Sequence, residues 1–438
     1  MAACFEKINL TLTTYYKAWH FIKRQNRPER IVKVQNSKLR KLVKHCYENI
    51  KYYRELFEEH RIRPDYIKTA ADLTKVPVLT KEQLRNRFWD FLPRELPSCR
   101  VSRTSGSTGI PVCILSDVNS RLNNSAAVIR YRRQLGIDFL GTSILTPQKN
   151  QQEHRKNPHW TFLQGLHKTY YINPYTNLDA EVDYSINILS KLKKTAIIGI
   201  TPAIKALAWR IRDGILPVIE PCAVVTTGEF LSGQVRELLE NTFKVKVTDI
   251  YACNEAGDIA WQCREGQLYH INADNCIVEI VKDGETAKEG QTGEVVMTNL
   301  NRYSMPFIRY KNGDLARFAT DKCPCGCSLP ALSQIAGRTG EDIYLPDCRI
   351  IPWNQLKGFM NLPDIRQFQL VQNKDSSLTV KFIPEEKSNI EQTKNILISR
   401  FEGLLGDSVN INFSIVERID PAPSGKSKLV ICHYDPPN

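Results

Sequence analysis

Hydrophobic and polar positions in the middle of the chain change repeatedly between the spacing of a helix and that of a strand. The predicted elements are a helix over 179–194, a strand over 196–200, a helix from 202, a strand over 223–226, a helix over 232–243 and a strand over 245–251. Alternation of this kind is typical of right-handed β-α-β units, whose parallel sheet is covered on both faces. Ligands of such sheets bind beyond the carboxyl ends of the strands. Segments 227–229 and 251–255 lie at two such ends, so the sequence predicts a site there.

The two ends of the chain have other patterns. Apolar residues at helical spacing predict one amphipathic helix over 38–59, and short alternating runs after Val278 predict antiparallel strands to about Ser333. The C-terminal region is predicted to contain a strand over 343–351, a helix from 352, strands over 367–371 and 378–383, a helix over 389–405 and a strand over 409–416. We therefore expect an α/β fold, with a large N-terminal domain over 1–337, whose parallel-containing sheets are covered by helices, and a small α+β domain over 338–438.

Length and composition agree with two domains. The chain has 438 residues, 42% of them hydrophobic, and single cores stop growing near ~250–300 residues. The N-terminal segment lacks the apolar stretch of a secretion signal, and no run of about 18 apolar residues occurs, so we expect a cytoplasmic protein without a transmembrane segment. Thirteen scattered cysteines, an odd number, indicate reduced thiols, some of which could bind a metal, and not a disulfide framework.

The formal net charge of +13 would suit a nucleic acid or an anionic surface. The excess of Lys and Arg is concentrated in 17–44 and 54–87, and no nucleic-acid-binding module accompanies it. We interpret these segments as solvated helical faces and expect no nucleic-acid partner. Electrostatic attraction to ATP, to an acidic sugar polymer or to a membrane surface stays open.

A loop rich in hydroxyl groups and glycine precedes the β-α-β units. It reads Thr104-Ser105-Gly106-Ser107-Thr108-Gly109-Ile110-Pro111. Glycines let the backbone fold tightly around a phosphate, and neighbouring hydroxyl and N–H groups donate to its oxygens. The loop has neither the ending of a Walker loop nor the spacing of a dinucleotide-binding loop. Alone, it is as compatible with an ordinary turn as with a nucleotide phosphate site.

Five further motifs follow this loop in a fixed order. They are Thr227-Gly228-Glu229, Tyr251-Ala252-Cys253-Asn254-Glu255, Arg309-Tyr310-Lys311-Asn312-Gly313-Asp314, Gly337-Arg338-Thr339 and Pro423-Ser424-Gly425-Lys426. In this series the chain, from about Lys38 to its C-terminus, resembles the adenylate-forming ligase (ANL) superfamily. More closely, it resembles the phenylacetate–CoA ligase-like branch, which includes capsular-polysaccharide biosynthesis proteins. The resemblance implies that the small C-terminal domain is mobile and turns on a hinge.

The resemblance also implies that ATP and Mg²⁺ bind at the predicted site. The residues expected to bind ATP are Thr104, Ser105, Gly106, Ser107, Thr108, Gly109, Gly228, Glu229, Tyr251, Asn254 and Asp314, the last through the ribose hydroxyls. Glu255 matches the glutamate linked to Mg²⁺, a cation that requires oxygen ligands; the alternative is an exposed loop glutamate. One departure is Ile110, where the family usually has lysine. Another residue then supplies charge at the phosphates, or that charge is dispensable.

Three more residues are implied near the domain junction and the C-terminus. Arg338 matches an arginine that contacts ribose or phosphate, and Lys426 matches the lysine that reaches the α-phosphate and the acyl carboxylate during adenylation. A lysine is a compact, mobile point charge, which suits a transient contact, although a solvated turn lysine is the alternative. The family hinge is usually an acidic pair. Here the aligned residues are Gly340 and Glu341, so Glu341 is the expected hinge residue.

A second group of residues has the chemistry of a metal site. Cys263 and His270 lie between the Glu255 motif and Asp274, and a Cys-rich loop follows Asp314. Four thiolate and imidazole donors from two loops fit a closed, structural Zn²⁺ site. The preferred ligands are Cys263, His270, Cys323 and Cys325, with Cys327 as the alternative to Cys325, and members of the branch have similar residues here. Unligated thiols beside a packed histidine are the competing interpretation.

These expectations combine into an AMP-forming ligase. A carboxylic acid and MgATP would give an acyl-adenylate and pyrophosphate, after which an acceptor attacks the acyl carbon and releases AMP. CoA is the acceptor implied by the resemblance, and an amine, an alcohol or a carrier protein is nearly as well supported. Segment 146–175 is expected to begin the acid pocket. The alternatives are an adenylyltransferase that moves AMP onto a cofactor or sugar hydroxyl, and a non-catalytic basic scaffold or nucleic-acid-binding protein.

Overall fold

The fold is known from a computed structural model of the chain. It describes residues 2–103, 112–138, 140–148, 159–161, 164, 166–265, 267–338, 343–347, 349–351, 356, 365–385, 389–405, 409–419 and 430–434, with the backbone alone for 2–7, 159–161, 338 and 350. The α-helices of these ranges are α1 (Ala2–Arg24), α2 (Pro28–Asn49), α3 (Lys51–Glu59), α4 (Lys81–Asn86), α5 (Val118–Gln134), α6 (Asp179–Leu189), α7 (Thr201–Arg212), α8 (Gly233–Phe243) and α9 (Ile390–Leu405).

The strands of the same ranges form one large sheet and three small ones. The first seven are β1 (Cys99–Arg103), β2 (Cys113–Asp117), β3 (Ser143–Pro147), β4 (His159–Thr161), β5 (His167–Ile172), β6 (Thr195–Ile200) and β7 (Ala223–Thr227). The next seven are β8 (Val247–Cys253), β9 (Gly257–Gln262), β10 (Tyr269–Ile271), β11 (Cys276–Lys282), β12 (Glu285–Thr286), β13 (Gly293–Asn299) and β14 (Tyr310–Phe318). The last seven are β15 (Ala331–Arg338), β16 (Ile343–Tyr344), β17 (Ile350–Ile351), β18 (Ile365–Gln372), β19 (Leu378–Pro384), β20 (Ile411–Ile415) and β21 (Val430–Cys432).

The large sheet has 13 strands among the described residues, in the order β12-β11-β13-β14-β15-β10-β9-β8-β7-β6-β3-β5-β4. Strands β5, β3, β6, β7 and β8 are parallel, and α7 and α8 connect consecutive members of this half. From β8 onward, each neighbouring pair toward β12 is antiparallel. The predicted β-α-β units and the predicted antiparallel strands therefore both exist, and they are halves of one continuous sheet.

The predicted single helix over 38–59 is wrong at one residue. Helix α2 ends at Asn49 and α3 begins at Lys51, because Ile50 between them has extended backbone angles of φ −114° and ψ 114°. The change of direction lets the first turns of α3 bury Tyr53 and Phe57 in the core beside the antiparallel strands. There, Tyr53 Oη donates to the Pro306 carbonyl at 3.1 Å and accepts from the Ile308 N–H at 2.9 Å.

A buried carboxylate joins the three long N-terminal helices. Asp274, in the turn after β10, accepts hydrogen bonds from Arg24 of α1 at 2.7 Å and from Arg130 of α5 at 2.8 Å. Lys38 of α2 donates to the backbone carbonyl of Asp274 at 2.7 Å. Buried ion pairs stabilise only when their hydrogen bonds are made, and Asp274 has three such donors. This cluster fixes α1, α2 and α5 against the sheet.

The C-terminal part contains a four-stranded sheet in the order β20-β19-β18-β21, and α9 packs on it through Leu397, Phe401 and Leu405. The predicted strand over 343–351 is instead the hairpin of β16 and β17, and the helix predicted from 352 falls largely outside the described residues. Ion pairs of Arg212 with Glu385 and of Arg366 with Asp213 connect this part with α7. Within the described ranges, no helix has both the length and the apolar character needed to cross a membrane.

Candidate functional site

The centre of the predicted site lies where β8 ends beside β14. Tyr251 of β8 donates from its phenol to Asp314 Oδ2 at 2.7 Å, and Asn312 Nδ2 donates to the same oxygen at 2.8 Å. Burial, and secondly the negative charge of Asp314, raise the pKa of Tyr251 far above its ordinary value. The phenol therefore stays protonated and acts as a donor. These two donors orient a buried carboxylate, which is what recognition of a pair of hydroxyl groups requires.

Glu255 lies next to this network in the turn between β8 and β9. Its side chain is mostly buried, with 7% of the residue exposed, and its Oε1 accepts from the Tyr310 phenol at 3.0 Å. Asn299 holds the backbone in place by donating to the Glu255 carbonyl at 3.3 Å. The structure thus brings Asp314 next to Tyr251 and Glu255, a neighbouring pair that is distant from it in sequence, and the position of Glu255 suits a carboxylate ligand of a hard cation.

The phosphate loop begins beside the same turn. Asn254 Nδ2 donates to the backbone carbonyl of Arg103 at 3.1 Å, and Arg103 pairs with Cys113 at the end of the β1–β2 hairpin. Both ends of the loop are therefore held together next to Asn254. The loop residues themselves, namely Thr104, Ser105, Gly106, Ser107, Thr108, Gly109 and Ile110, lie outside the described residues.

Gly228 and Glu229 follow β7, the neighbour of β8. Gly228 has a φ of +83°, a left-handed conformation that favours glycine. The backbone carbonyl of Glu229 accepts from Thr201 Oγ1 at 3.3 Å. Burial lowers the pKa of Lys205 to about 8, although the negative charge of Glu229 acts to raise it. Because Gly228 and Glu229 directly follow β7, they lie at the carboxyl end of the parallel strands, where the sequence predicts them.

Arg302 is a residue that the sequence reasoning missed. Its Nη2 donates to the Asn254 carbonyl at 2.9 Å, while its Nε and Nη1 are buried without a hydrogen-bond partner among the residues that the structure describes. Only 4% of the residue is exposed. Burial lowers the pKa of Arg302, and Glu255 is among the anions that raise it again. Because arginine remains charged in proteins, a cation lies beside Asn254, whose side chain contacts Arg103 at the end of β1. A single arginine between two motifs gave no signal for this role.

The four preferred zinc ligands come together on the antiparallel half of the sheet. Strands β9, β10 and β15 are neighbours, so Cys263 after β9, His270 in β10 and the loop before β15 meet. The donor atoms of Cys263, His270, Cys323 and Cys325 all lie within 4.8 Å of one another. Two sulfur ligands of a tetrahedral Zn²⁺ are about 3.8 Å apart, and the sulfurs of Cys263 and Cys323 are somewhat closer, at 3.3 Å. The close grouping of all four donor atoms fits a four-coordinate metal.

The contacts around this group distinguish its members. His270 Nε2 lies 3.2 Å from Cys325 Sγ, and the Cys327 N–H donates to Cys325 Sγ at 3.4 Å. Cys327 itself packs against an apolar cluster that includes Trp261 and is not part of the metal-binding group. Burial raises the pKa of Cys323 and Cys325, so a nearby cation is needed to hold both as thiolates.

The other predicted site residues are only partly described. The backbone of Arg338 in β15 pairs with Asp314 of β14, which brings that position to the nucleotide site, but its side chain is outside the described part. Glu341 and Lys426 also lie outside it. In the segment predicted to begin the acid pocket, His167 is buried and its two ring nitrogens lie 3.1 Å from the carbonyls of Thr142 and Gln164. This histidine has a packing role.

The chain is similar in sequence to known proteins. Residues 348–433 match the family model of the CapK C-terminal domain. The chain is 26% identical to a phenylacetate-coenzyme A ligase of Aromatoleum evansii, with 91% of this chain and 93% of that relative covered. It is 22% identical to the protein CapK of Staphylococcus aureus, with 94% and 91% covered.

Solved structures of CoA ligases have the same fold. The chain is similar to 2-hydroxyisobutyryl-CoA ligase in its postadenylation state, with a TM-score of 0.74, 19% identity, and 92% of this chain and 89% of that chain covered. For ATP-bound MatB from Rhodopseudomonas palustris, the TM-score is 0.52 at 13% identity, with 77% and 68% covered. The α/β fold is therefore that of the adenylate-forming ligases. Within that class, the predicted resemblance to the phenylacetate–CoA ligase-like branch is confirmed.

Proposed function

We propose that the protein is an ATP-dependent, AMP-forming ligase that activates a carboxylic acid. The observation that carries this proposal is the buried group of Tyr251, Asn312 and Asp314, with Glu255 beside it, at the carboxyl end of β8. Asp314 accepts hydrogen bonds from the ribose hydroxyl groups of ATP. Glu255 would hold Mg²⁺, which neutralises charge on the phosphates when bound. The similarity to adenylate-forming ligases over more than nine tenths of the chain supports the same reaction.

The first half-reaction is an attack of the acid's carboxylate oxygen on the α-phosphorus of ATP. The bond to the bridging oxygen breaks, pyrophosphate leaves, and an acyl-adenylate remains. Negative charge grows on the α-phosphate and on the leaving oxygen, so cations near them lower the barrier. Lys426 acts at the α-phosphate in this proposal. In the second half-reaction, a nucleophile attacks the acyl carbon and AMP leaves.

Arg302 supplies the positive charge that the usual loop lysine of the family would provide and that Ile110 cannot. Its side chain lies beside Asn254, which contacts the residue before the predicted phosphate loop, and two of its nitrogens have no partner among the described residues. Donors to a triphosphate are stronger when they are charged. Arg302 therefore acts from behind the loop on the β- and γ-phosphates and substitutes for the usual loop lysine.

The remaining parts of the proposal concern the metal, the domains and the acceptor. Cys263, His270, Cys323 and Cys325 hold a structural Zn²⁺, since four protein ligands leave no open position for catalysis. Residues 1–337 and 338–438 act as two domains, with Glu341 at the hinge. CoA is the acceptor favoured by the names of the relatives, phenylacetate-coenzyme A ligase and 2-hydroxyisobutyryl-CoA ligase. The similarity to CapK leaves an amine, an alcohol or a carrier protein as the second candidate.

Acid-dependent release of pyrophosphate tests the reaction. Aryl, sugar and amino acids are screened with MgATP, and products formed with CoA or amines are identified by mass spectrometry. Glu255→Gln should abolish most of the signal, whereas Glu294→Gln, a half-exposed glutamate on β13 that pairs with Lys311, is the matched control. Absence of acid-dependent pyrophosphate release would contradict the proposal. AMP retained on the product would identify an adenylyltransferase instead.

The role of Lys426 is tested by separating the two half-reactions. Lys426→Ala should slow acyl-adenylate formation by roughly 10²–10³-fold, the effect of removing one transition-state charge stabiliser. Consumption of a supplied acyl-adenylate by the acceptor should change only a few-fold, because the small domain then presents another surface. Equal damage to both half-reactions would contradict domain rotation.

A further inference from the structure

Helix α1 has a stripe of apolar side chains that are about half exposed, with ring contacts of Tyr16 and Trp19 to His20 of the same helix. The stripe consists of Ile8, Leu12, Tyr16 and Trp19, each between 47% and 66% exposed. Spacings of four, four and three residues place them on one face of a helix. The opposite face contains Thr14, Ala18 and Phe21, which are buried, and packs on α5. The core therefore does not account for the outer face of α1.

Basic residues follow the stripe in sequence, at the end of α1 and the start of α2. The ammonium group of Lys23 lies 3.7 Å from the centre of the Trp19 ring, and Arg27, Arg30 and Lys33 follow in exposed positions. The first 33 residues contain seven Lys or Arg and two Glu. An apolar face bordered by positive charge is complementary to a surface that has an anionic polar layer above an apolar interior.

We propose that the outer face of α1 docks on an anionic lipid membrane, with the helix lying in the plane of the surface. Tryptophan and tyrosine favour the boundary between headgroups and acyl chains, where their rings have an apolar and a polar side. Aliphatic side chains insert deeper, and lysine reaches back to the phosphates. Positive charge adds attraction to anionic lipids. This inference does not depend on the proposed ligase reaction.

A second copy of the chain fits the stripe less well. A stable interface buries about 800 Å² on each partner. Four side chains that are each about half exposed offer on the order of 100 Å² apiece, which is about half of that area. A parallel pair of α1 helices would also bring two clusters of positive charge together, which is unfavourable. An anionic bilayer avoids both difficulties.

Sedimentation with lipid vesicles tests the proposal on the full chain. Vesicles of phosphatidylcholine containing phosphatidylglycerol are compared with vesicles of phosphatidylcholine alone. Wild-type protein should partition at least about tenfold more strongly onto the anionic vesicles, and salt should weaken the binding because the Debye length shortens. The triple variant Leu12→Gln/Tyr16→Gln/Trp19→Gln should lose about tenfold or more of this binding. Equal, weak binding of the wild type to both vesicles would overturn the proposal.

Two further variants and one measurement distinguish the causes. Trp89→Gln removes a tryptophan that is 80% exposed on a different part of the surface, and it should bind vesicles as the wild type does. Charge reversal by Lys23→Glu/Arg27→Glu/Arg30→Glu should weaken binding to anionic vesicles without changing thermal unfolding. Sedimentation velocity without lipid reports the oligomeric state. A wild-type dimer that the apolar triple variant dissociates would assign the stripe to a second copy and overturn membrane docking.

Discussion

Replacement of Arg302 by methionine tests the electrostatics of the site most directly. Methionine keeps the apolar stem of the side chain but removes the guanidinium. Arg302 is 4% exposed, and within the described structure its guanidinium makes one hydrogen bond, to the Asn254 carbonyl. Two of its nitrogens, Nε and Nη1, are buried without partners there. If ATP phosphates are the missing acceptors, the substitution should impair ATP binding while doing little harm to the empty protein.

The structure sets the size of the effect on ATP binding and the sign of the effect on stability. Hydrogen bonds to charged groups contribute about 1.5–3 kcal/mol each, so loss of one should raise the KM for ATP about 10- to 150-fold. A buried cation with unsatisfied donors costs free energy in the absence of ligand. The free energy of unfolding of ATP-free Arg302→Met should therefore equal or exceed that of the wild type. A purely structural arginine predicts the opposite sign.

The assay follows acid-dependent exchange of pyrophosphate into ATP as a function of ATP concentration, together with urea unfolding without nucleotide. Arg302→Lys keeps the charge and should recover part of the affinity for ATP. Arg317→Met, on β14 where Arg317 Nε donates to Ser333, is the matched control and should leave the KM unchanged. An unchanged KM in Arg302→Met would refute the reasoning. A loss of stability in Arg302→Met that Arg302→Lys restores, with no change in the KM for ATP, would also refute it.

Three other substitutions give separate predictions. Cys325→Ser should lower the zinc content below about one ion per chain and reduce the unfolding temperature, because the binding energy of a structural metal is folding energy, whereas Cys327→Ser should leave metal analysis unchanged. Glu255→Gln should raise the Mg²⁺ concentration needed for half-maximal pyrophosphate exchange by about tenfold or more. Burial lowers the pKa of Lys38 to about 7 from its ordinary 10.5. Since the unfolded chain then binds more protons between these values, the free energy of unfolding should rise with pH across that range, and Lys38→Met should flatten the rise in urea titrations.

Specific outcomes would contradict each of these three. Zinc-free wild-type protein of full stability would remove the metal site, and equal losses in both cysteine variants would leave the choice of fourth ligand wrong. An unchanged Mg²⁺ requirement would exclude Glu255 as a ligand. A pH slope that Lys38→Met retains would assign the titration to another group.

The sequence predicted the parallel half of the large sheet best. Strands β6, β7 and β8 are short, mostly apolar segments that alternate with amphipathic helices, and this pattern has few alternative interpretations. Because parallel strands end at one edge, the positions of Gly228 and Tyr251 followed without further information. The same argument could not show that β10 pairs with β15 and so joins the two halves into one sheet, since Tyr269 and its partner Leu332 are distant in sequence.

Features fixed by long-range contacts were not predictable. The break at Ile50 arises because Tyr53 must reach the carbonyl of Pro306, more than 250 residues away, and nothing in the local pattern marks it. Arg302 is similar, since its importance depends on burial beside Asn254. By contrast, the grouping of Cys263 and His270 with two cysteines of the later loop was predictable because donor chemistry restricts the choice, although only geometry separates Cys325 from Cys327. Their binding of a metal stays a prediction.

The cations around Asp274 have a practical consequence for protein engineering. The chain before Lys38 precedes the motifs shared with the ligases, and it is an obvious segment to delete when a shorter version is wanted. Deletion would remove Arg24 and take away Phe21, whose ring lies 5.3 Å from the guanidinium of Arg130. Arg130 would remain as a partner of Asp274, so the loss is smaller than the about 3–5 kcal/mol of a fully broken buried ion pair. Even part of that cost is a large share of the ~5–15 kcal/mol that keeps a typical protein folded. Shortened versions should therefore keep α1 whole, because versions that lack it should be less stable and express poorly.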